Sequence, residues 1–182
     1  FRMARSKAFL FKGVEVRWKC DPSLLAPDDK TPVEETLKYP NGLEDFLKYR
    51  LKDEVCVTPK PFTGRAELAG DRGHVEWAIS WLEDGEAGFI GSFCNTIGTP
   101  QGGTHEAGLR SALTRSLRAY AEMVGNRKSA EITTEDVVGS AGIMLSLFMK
   151  DPQFQGQTKE KLGSPEATKL VETAMKDPFD HW

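Results

Sequence analysis

Gln157, Thr158 and Lys159 sit together in the segment DPQFQGQTKEKL, and these side chains can hold a phosphate. A lysine ammonium is a mobile point charge for phosphate oxygens, and the glutamine and threonine add neutral hydrogen bonds. The competing reading is a solvated lysine beside Glu160 and Lys161, and spacing alone favours it. A second group lies in QGGTHEAGLRSALTRSL. Gly102 and Gly103, ahead of a helix, could bring backbone N–H groups toward an anion. The simpler reading is a turn with positive backbone angles. His105 and Glu106 follow, but neighbours on a helix diverge by roughly 100°, so capping and solvent exposure are expected of them. Arg110, Arg115 and Arg118 lie further along, with Arg115 and Arg118 opposite the leucine stripe and Arg110 on its flank. They are candidates for a DNA-facing surface, with a solvated basic face as the plainer alternative.

Positioning these groups requires helices and a sheet. The opening FRMARSKAFLF reads as a helix end stopped at Gly13, and VEVRW as a strand with Val14, Val16 and Trp18 on one face. A proline-rich surface connection follows, with room for short strand pieces, and then Leu43, Phe46, Leu47 and Leu51 at helical spacing. Strands are expected at VCVTPKPF, HVEWAISWL and GFIGSFCNTI, with Val75, Trp77, Ile79 and Trp81 facing one side. GEAGFIG is a weak glycine-rich match that a hairpin turn explains. A long helix is expected from Thr104, as N-cap, to Val124, with Leu109, Leu113, Leu117, Tyr120 and Val124 as its apolar stripe. TTEDV caps a short helix, and GIMLSLFMK reads as a buried strand. Pro152 then blocks the ladder and Gly156 frees the backbone, so the Lys159 loop projects from a sheet end. Ser164 as cap and Pro165 in the first turn open a C-terminal helix.

Composition narrows the function. With 24 Lys and Arg against 27 Asp and Glu, the formal charge of -3 supplies no general field for nucleic acid, so any DNA contact must be local. Cys20, Cys56 and Cys94 form no CxxC pair, and His74, His105 and His181 have no HxxxH spacing, so neither a disulfide framework nor a metal site is expected. AFLF is too short for a signal-peptide core, and no run reaches the roughly 18 apolar residues of a membrane span. A reducing cytoplasm fits this inventory. The absence of Met at position 1 points to a piece of a longer polypeptide. A standalone nucleic-acid-binding α/β module and a small-molecule enzyme are the rival readings. The first is weakened by the charge, the second by the lack of a nucleophile and base set.

The run QGGTHEAGLRSALTRSL and the loop DPQFQGQTKEKL, in that order, resemble the GGTH segment and QTK loop of the ATPase subunits of type IIA DNA topoisomerases. RMARSKAFLFKGVEVRW and DPFDHW tilt the likeness toward the topoisomerase IV branch as found in alphaproteobacteria. The resemblance covers essentially the whole chain. It implies an α/β (α+β) architecture in which residues 1–52 end a Bergerat-fold domain of the gyrase, chaperone, kinase and mismatch-repair superfamily. Residues 53–182 would form a transducer domain with the ribosomal protein S-five domain-two-like fold and a left-handed βαβ crossover, against the usual hand. It further implies that Gln157 and Lys159 reach the γ-phosphate of ATP held by the neighbouring domain, with Lys159 acting catalytically. ATP and magnesium belong to the whole enzyme, together with duplex DNA, a second B-type chain and ParC, the topoisomerase IV partner that carries the DNA-cleaving tyrosine. The family's magnesium-holding asparagine, water-activating glutamate and ATP lid lie upstream of this segment. This segment by itself is therefore expected to be inactive and to bind neither cofactor.

Overall fold

A computed structural model describes residues 1–83 and 87–182. In chain order the elements are α1 (Arg2–Leu10), β1 (Glu15–Lys19), β2 (Glu34–Lys38), α2 (Leu43–Leu51), β3 (Phe62–Glu67), β4 (Gly73–Trp81), β5 (Phe89–Cys94), β6 (Ile97–Gly98), α3 (Thr104–Met123), α4 (Thr134–Val138), β7 (Ala141–Met149), β8 (Phe154–Gln155), β9 (Lys161–Leu162) and α5 (Pro165–His181). The main sheet has the order β3-β4-β7-β5-β6. Its central strand β7 is antiparallel to β4 and parallel to β5. Parallel neighbours need a crossover between them, and α3 lies in it. The result is a mixed α/β sheet.

The apolar run of β7 follows from its place in the sheet. A strand covered on both faces is apolar at nearly every position. Ile143, Leu145 and Leu147 pack with Leu109, Leu113, Val171 and Met175 on the face that carries α3 and α5. Met144 points the other way, into a smaller cluster with Leu10, Leu43, Leu47 and Leu51 of α1 and α2. The same division explains β4. Val75, Trp77 and Ile79 face the larger cluster as expected, and Ala78 on the opposite face is buried against the smaller one. Burying a Leu or Ile side chain stabilises by about 1.5–3 kcal/mol, so these clusters hold the layers together.

Helices α3 and α5 run parallel. Thr168 Oγ1 donates to the Thr104 carbonyl at 3.0 Å, one turn later Gly108 lies against the Thr168 backbone, and Ser111 reaches Glu172 at 2.9 Å. Both helices therefore start at the same end of the sheet, where their unpaired N–H groups and positive dipole ends lie together. At α1, Lys7 donates to the Thr96 carbonyl at 3.0 Å and to its hydroxyl, tying that helix to the turn between β5 and β6.

Several expectations are corrected. GEAGFIG is not the turn of a hairpin between neighbours, because β7 lies between β4 and β5; its Gly85 is outside the described residues. Gly88 in the same motif allows close approach, since a Cβ there would collide with the Ala141 backbone. VCVTPKPF contributes only an isolated bridge from Cys56 to Leu82 before β3 starts at Phe62. The α3 stripe holds at Leu109 and Leu113, but Tyr120 and Val124 are exposed. Thr104 is the first helical residue and not the cap: Gly103 occupies the N-cap position with φ 140°. The short helix expected at TTEDV is present, and its cap is a capping box between Thr133 and Asp136.

Candidate functional site

The segment around Lys159 is a small hairpin. β8 and β9 pair antiparallel, with Phe154 opposite Leu162 and Gln155 opposite Lys161, leaving residues 156–160 as the turn. Gly156 enters it with φ 77°, and Lys159 adopts φ 56°. A positive φ is costly for a residue with a Cβ, so the turn must be held by its surroundings. Gln157, Thr158 and Lys159 are all exposed at the tip. The Lys159 ammonium lies 5.9 Å from the Phe154 ring centre, within reach of a weak cation–π attraction.

The base of this hairpin is sewn to the starts of both long helices. Leu162 N–H donates to the Gly102 carbonyl at 3.0 Å, and Gln101 N–H donates to the Glu160 carbonyl at 3.0 Å. The Gln101 amide also reaches the Glu160 carboxylate at 2.7 Å. Gly103 bridges to Leu162, and a Cβ on Gly103 would collide with the Leu162 carbonyl oxygen. The two glycines are thus a seat for β9, which is more than the bare turn reading anticipates. On the other side, Ser164 is the N-cap residue of α5 by position, yet its hydroxyl does not cap the helix. It accepts instead from the Gln153 N–H at 2.8 Å, fastening the first residue of the hairpin segment.

Beneath the seat lies a polar chain that sequence reasoning missed. His105 is fully buried, not solvent-exposed as expected, and its Nε2 lies 3.1 Å from the Thr99 hydroxyl. Thr99 is 2.7 Å from the Ser92 hydroxyl, and Ser92 donates to the Glu106 carboxylate at 2.5 Å. Burial pushes the His105 imidazole down to about 4, so it is neutral near pH 7. His105 and Glu106 do diverge around the helix, and two hydroxyls from β5 and the β6 loop reconnect them. No local pattern signals this, because Ser92 and Thr99 acquire their roles only when β5 docks under α3.

The three arginines are separated from one another. Arg110 lies 3.8 Å from Glu106, Arg115 donates to Glu172 at 2.6 Å, and Arg118 donates to the Ile132 carbonyl at 2.7 Å. Arg115 and Arg118 are exposed and Arg110 is partly so, matching the faces expected from helical spacing. Among the described residues no group of three or more His, Cys, Asp and Glu stands close enough to hold a metal ion. Nor is any described helix long and apolar enough to cross a membrane.

Comparison with known proteins gives a consistent picture. The chain is 53% identical over 185 residues to the B subunit of DNA topoisomerase 4 from Caulobacter vibrioides, covering 100% of this chain and 26% of that protein. It is 50% identical over 182 residues to the Bartonella bacilliformis protein of the same name, again covering 100% and 26%. The chain thus spans about a quarter of the length of the curated relatives it matches. Among solved structures it is similar to the topoisomerase IV ATP-binding domain of Francisella tularensis in complex with a small-molecule inhibitor. That likeness has a TM-score of 0.76 and 28% identity, over 100% of this chain and 46% of the other. The ATPase domain of Thermus thermophilus gyrase B in complex with an aminocoumarin matches with a TM-score of 0.77 and 26% identity, over 99% and 46%. Matching the family model for DNA gyrase B over residues 42–182, the chain belongs to the DNA gyrase B family.

Proposed function

We propose that this chain is the nucleotide-sensing transducer part of the B subunit of an ATP-dependent type II DNA topoisomerase of the topoisomerase IV kind. The observation that carries the reading is the exposed tip of the β8–β9 hairpin, where Gln157 and Lys159 project from a base bonded to the starts of α3 and α5. In this reading residues 1–52 close the ATP-binding domain and residues 53–182 form the transducer. Lys159 supplies a positive charge and Gln157 a hydrogen bond to the terminal phosphate of ATP held by the neighbouring domain. ATP, when bound, supplies a phosphoryl group whose cleavage changes the charge facing the hairpin. The exposed Lys159 and Gln157 fit that role, and in this reading magnesium is held by the ATP-binding domain.

A contact made in one nucleotide state and lost in another can bias two arrangements of the same domains. Here the hairpin cannot shift without pulling on Gly102, Gln101 and Ser164, so its displacement is carried into two parallel helices. The whole enzyme would act on duplex DNA in the bacterial cytoplasm, together with ParC and a second B-type chain. Arg110, Arg115 and Arg118 are assigned to the DNA-facing side, with the exposed Arg115 the best placed.

The test is Lys159→Ala in the full-length protein in complex with ParC. ATP turnover and DNA relaxation are expected to fall by about a hundredfold, the scale for losing one charge-stabilising donor. Turnover at the unmutated rate overturns the role of Lys159.

A further inference from the structure

Beyond placing Lys159, we propose that Gln101 is a positioning residue for ATP turnover, holding the Lys159 hairpin at its working angle through Glu160. The inference rests on the reading of Lys159 given above. Gln101 grips the residue next to Lys159 twice: its N–H donates to the Glu160 carbonyl at 3.0 Å and its side-chain amide to the Glu160 carboxylate at 2.7 Å. Glu160 is the first residue after the left-handed Lys159, so fixing it fixes the direction in which the strained backbone projects the Lys159 side chain. Other bonds hold β9 to Gly102 and Gly163 to Gln153, but these lie below the turn. Among the described residues, the Gln101 side chain alone reaches from the α3 seat to the acidic side chain beside the tip.

The seat is itself immobilised. Gly102 precedes Gly103 in a pair with φ 70° and 140°, and the buried His105, Thr99 and Ser92, with the partly buried Glu106, form a bonded chain behind it. A carboxylate that accepts from an amide on a rigid loop is held more tightly than one in water, because a hydrogen bond to a charged acceptor is stronger and more directional than a neutral one. Gln101 touches no nucleotide in this scheme and acts through the position of Lys159.

The experiment is a mutant cycle in the full-length protein with ParC present, measuring kcat and KM for ATP. Gln101→Ala is expected to lower kcat about fivefold with KM changed less than about twofold, the size expected for one charge-assisted hydrogen bond at the surface. In the Lys159→Ala background, Gln101→Ala is expected to cost nothing further, since both act through one group. Gln101→Glu sets two carboxylates together and lowers kcat more. Combining it with Glu160→Gln exchanges amide and carboxylate and restores kcat, which a general loss of folding would not do. If Lys159→Ala lowers turnover while Gln101→Ala leaves it unchanged, adds a full loss, or is not rescued by the exchange, the inference fails and the role of Lys159 stands. If Lys159→Ala leaves turnover unchanged, both fail.

Discussion

The two ends of α3 have similar periodicity in sequence and opposite fates in the fold. At the N-terminal end His105, Gly108, Leu109, Ala112 and Leu113 are buried, and the residues just ahead of them seat the hairpin. At the C-terminal end Tyr120, Met123 and Val124 stand exposed, with Tyr120 and Met123 bordering a groove with Phe179 and Trp182. Helical spacing says which residues share a face, and burial depends on whether another element covers that face. The covered end is crossed by β5, β9 and the start of α5, and its polar groups are tied into bonds that leave little freedom. The open end has the end of α5 and the loop at Ile132 beside it, the latter reached by Arg118, and these leave Tyr120, Met123 and Val124 exposed. Substitutions are therefore expected to cost more stability at the first end than at the second.

The largest difference between the ends is expected from Gly103→Ala. Its φ of 140° with ψ of -162° belongs almost only to glycine, and the new Cβ would collide with the Leu162 carbonyl. Chemical denaturation should show a loss of about 3 kcal/mol or more, and ATP turnover should fall with it as the hairpin leaves its seat. Stability unchanged by this substitution would mean that the seat is not constrained.

The next effect is a dependence on pH. His105 is held at about 4 in the fold against an ordinary value of 6.5, so the unfolded chain binds the proton more readily. The contribution of the neutral, buried ring is therefore whole above pH 6.5 and is lost progressively as pH falls toward 4, for a total of up to about 3 kcal/mol. Unfolding midpoints measured between pH 7 and 4 should fall for the native protein. His105→Gln should be less stable at pH 7 and show a flatter profile, and an unaltered slope would remove His105 as its source.

Smaller effects belong to the exposed parts of the helix. Arg115 pairs with Glu172 at 2.6 Å but its side chain is 74% exposed, so Arg115→Ala should cost less than about 1 kcal/mol in thermal unfolding. Its effect on DNA-stimulated ATP turnover tests the DNA-facing assignment separately. Tyr120→Ser, at a residue 59% exposed, should change stability by less than about 0.5 kcal/mol. A loss of about 2 kcal/mol there, the scale of a buried side chain, would mean that this end is covered in the folded protein after all.

Much of the element order was legible because local chemistry carries it. The buried strand at 141–149, the helices at 43–51 and from 104, the short helix capped at Thr133 and the Pro165 helix start all follow from periodicity and caps within a few residues. The exposed turn that carries Gln157 and Lys159 was legible as well, from Pro152 and Gly156 in the segment. What escaped were partnerships at long range. Ser164 has the identity of a cap and serves the backbone of Gln153, eleven residues earlier. His105, beside a charged neighbour at a helix start, reads as a surface residue and is fully buried, with its ring against the Thr99 hydroxyl.

Local amino-acid order settles most of the long helices and strands, and that a lysine with amide and hydroxyl neighbours stands in a turn, while VCVTPKPF shows that a strand-like run need not become a strand. Periodicity, caps, proline and glycine act over a few residues, so their effects are written along the chain. Packing in three dimensions was needed to set Gly103 against Leu162, to bring Gln101 to Glu160, and to seal one end of α3 while the other stays open. The first two are contacts between chain segments about 60 residues apart, and their energies exist only once the sheet and helices have packed.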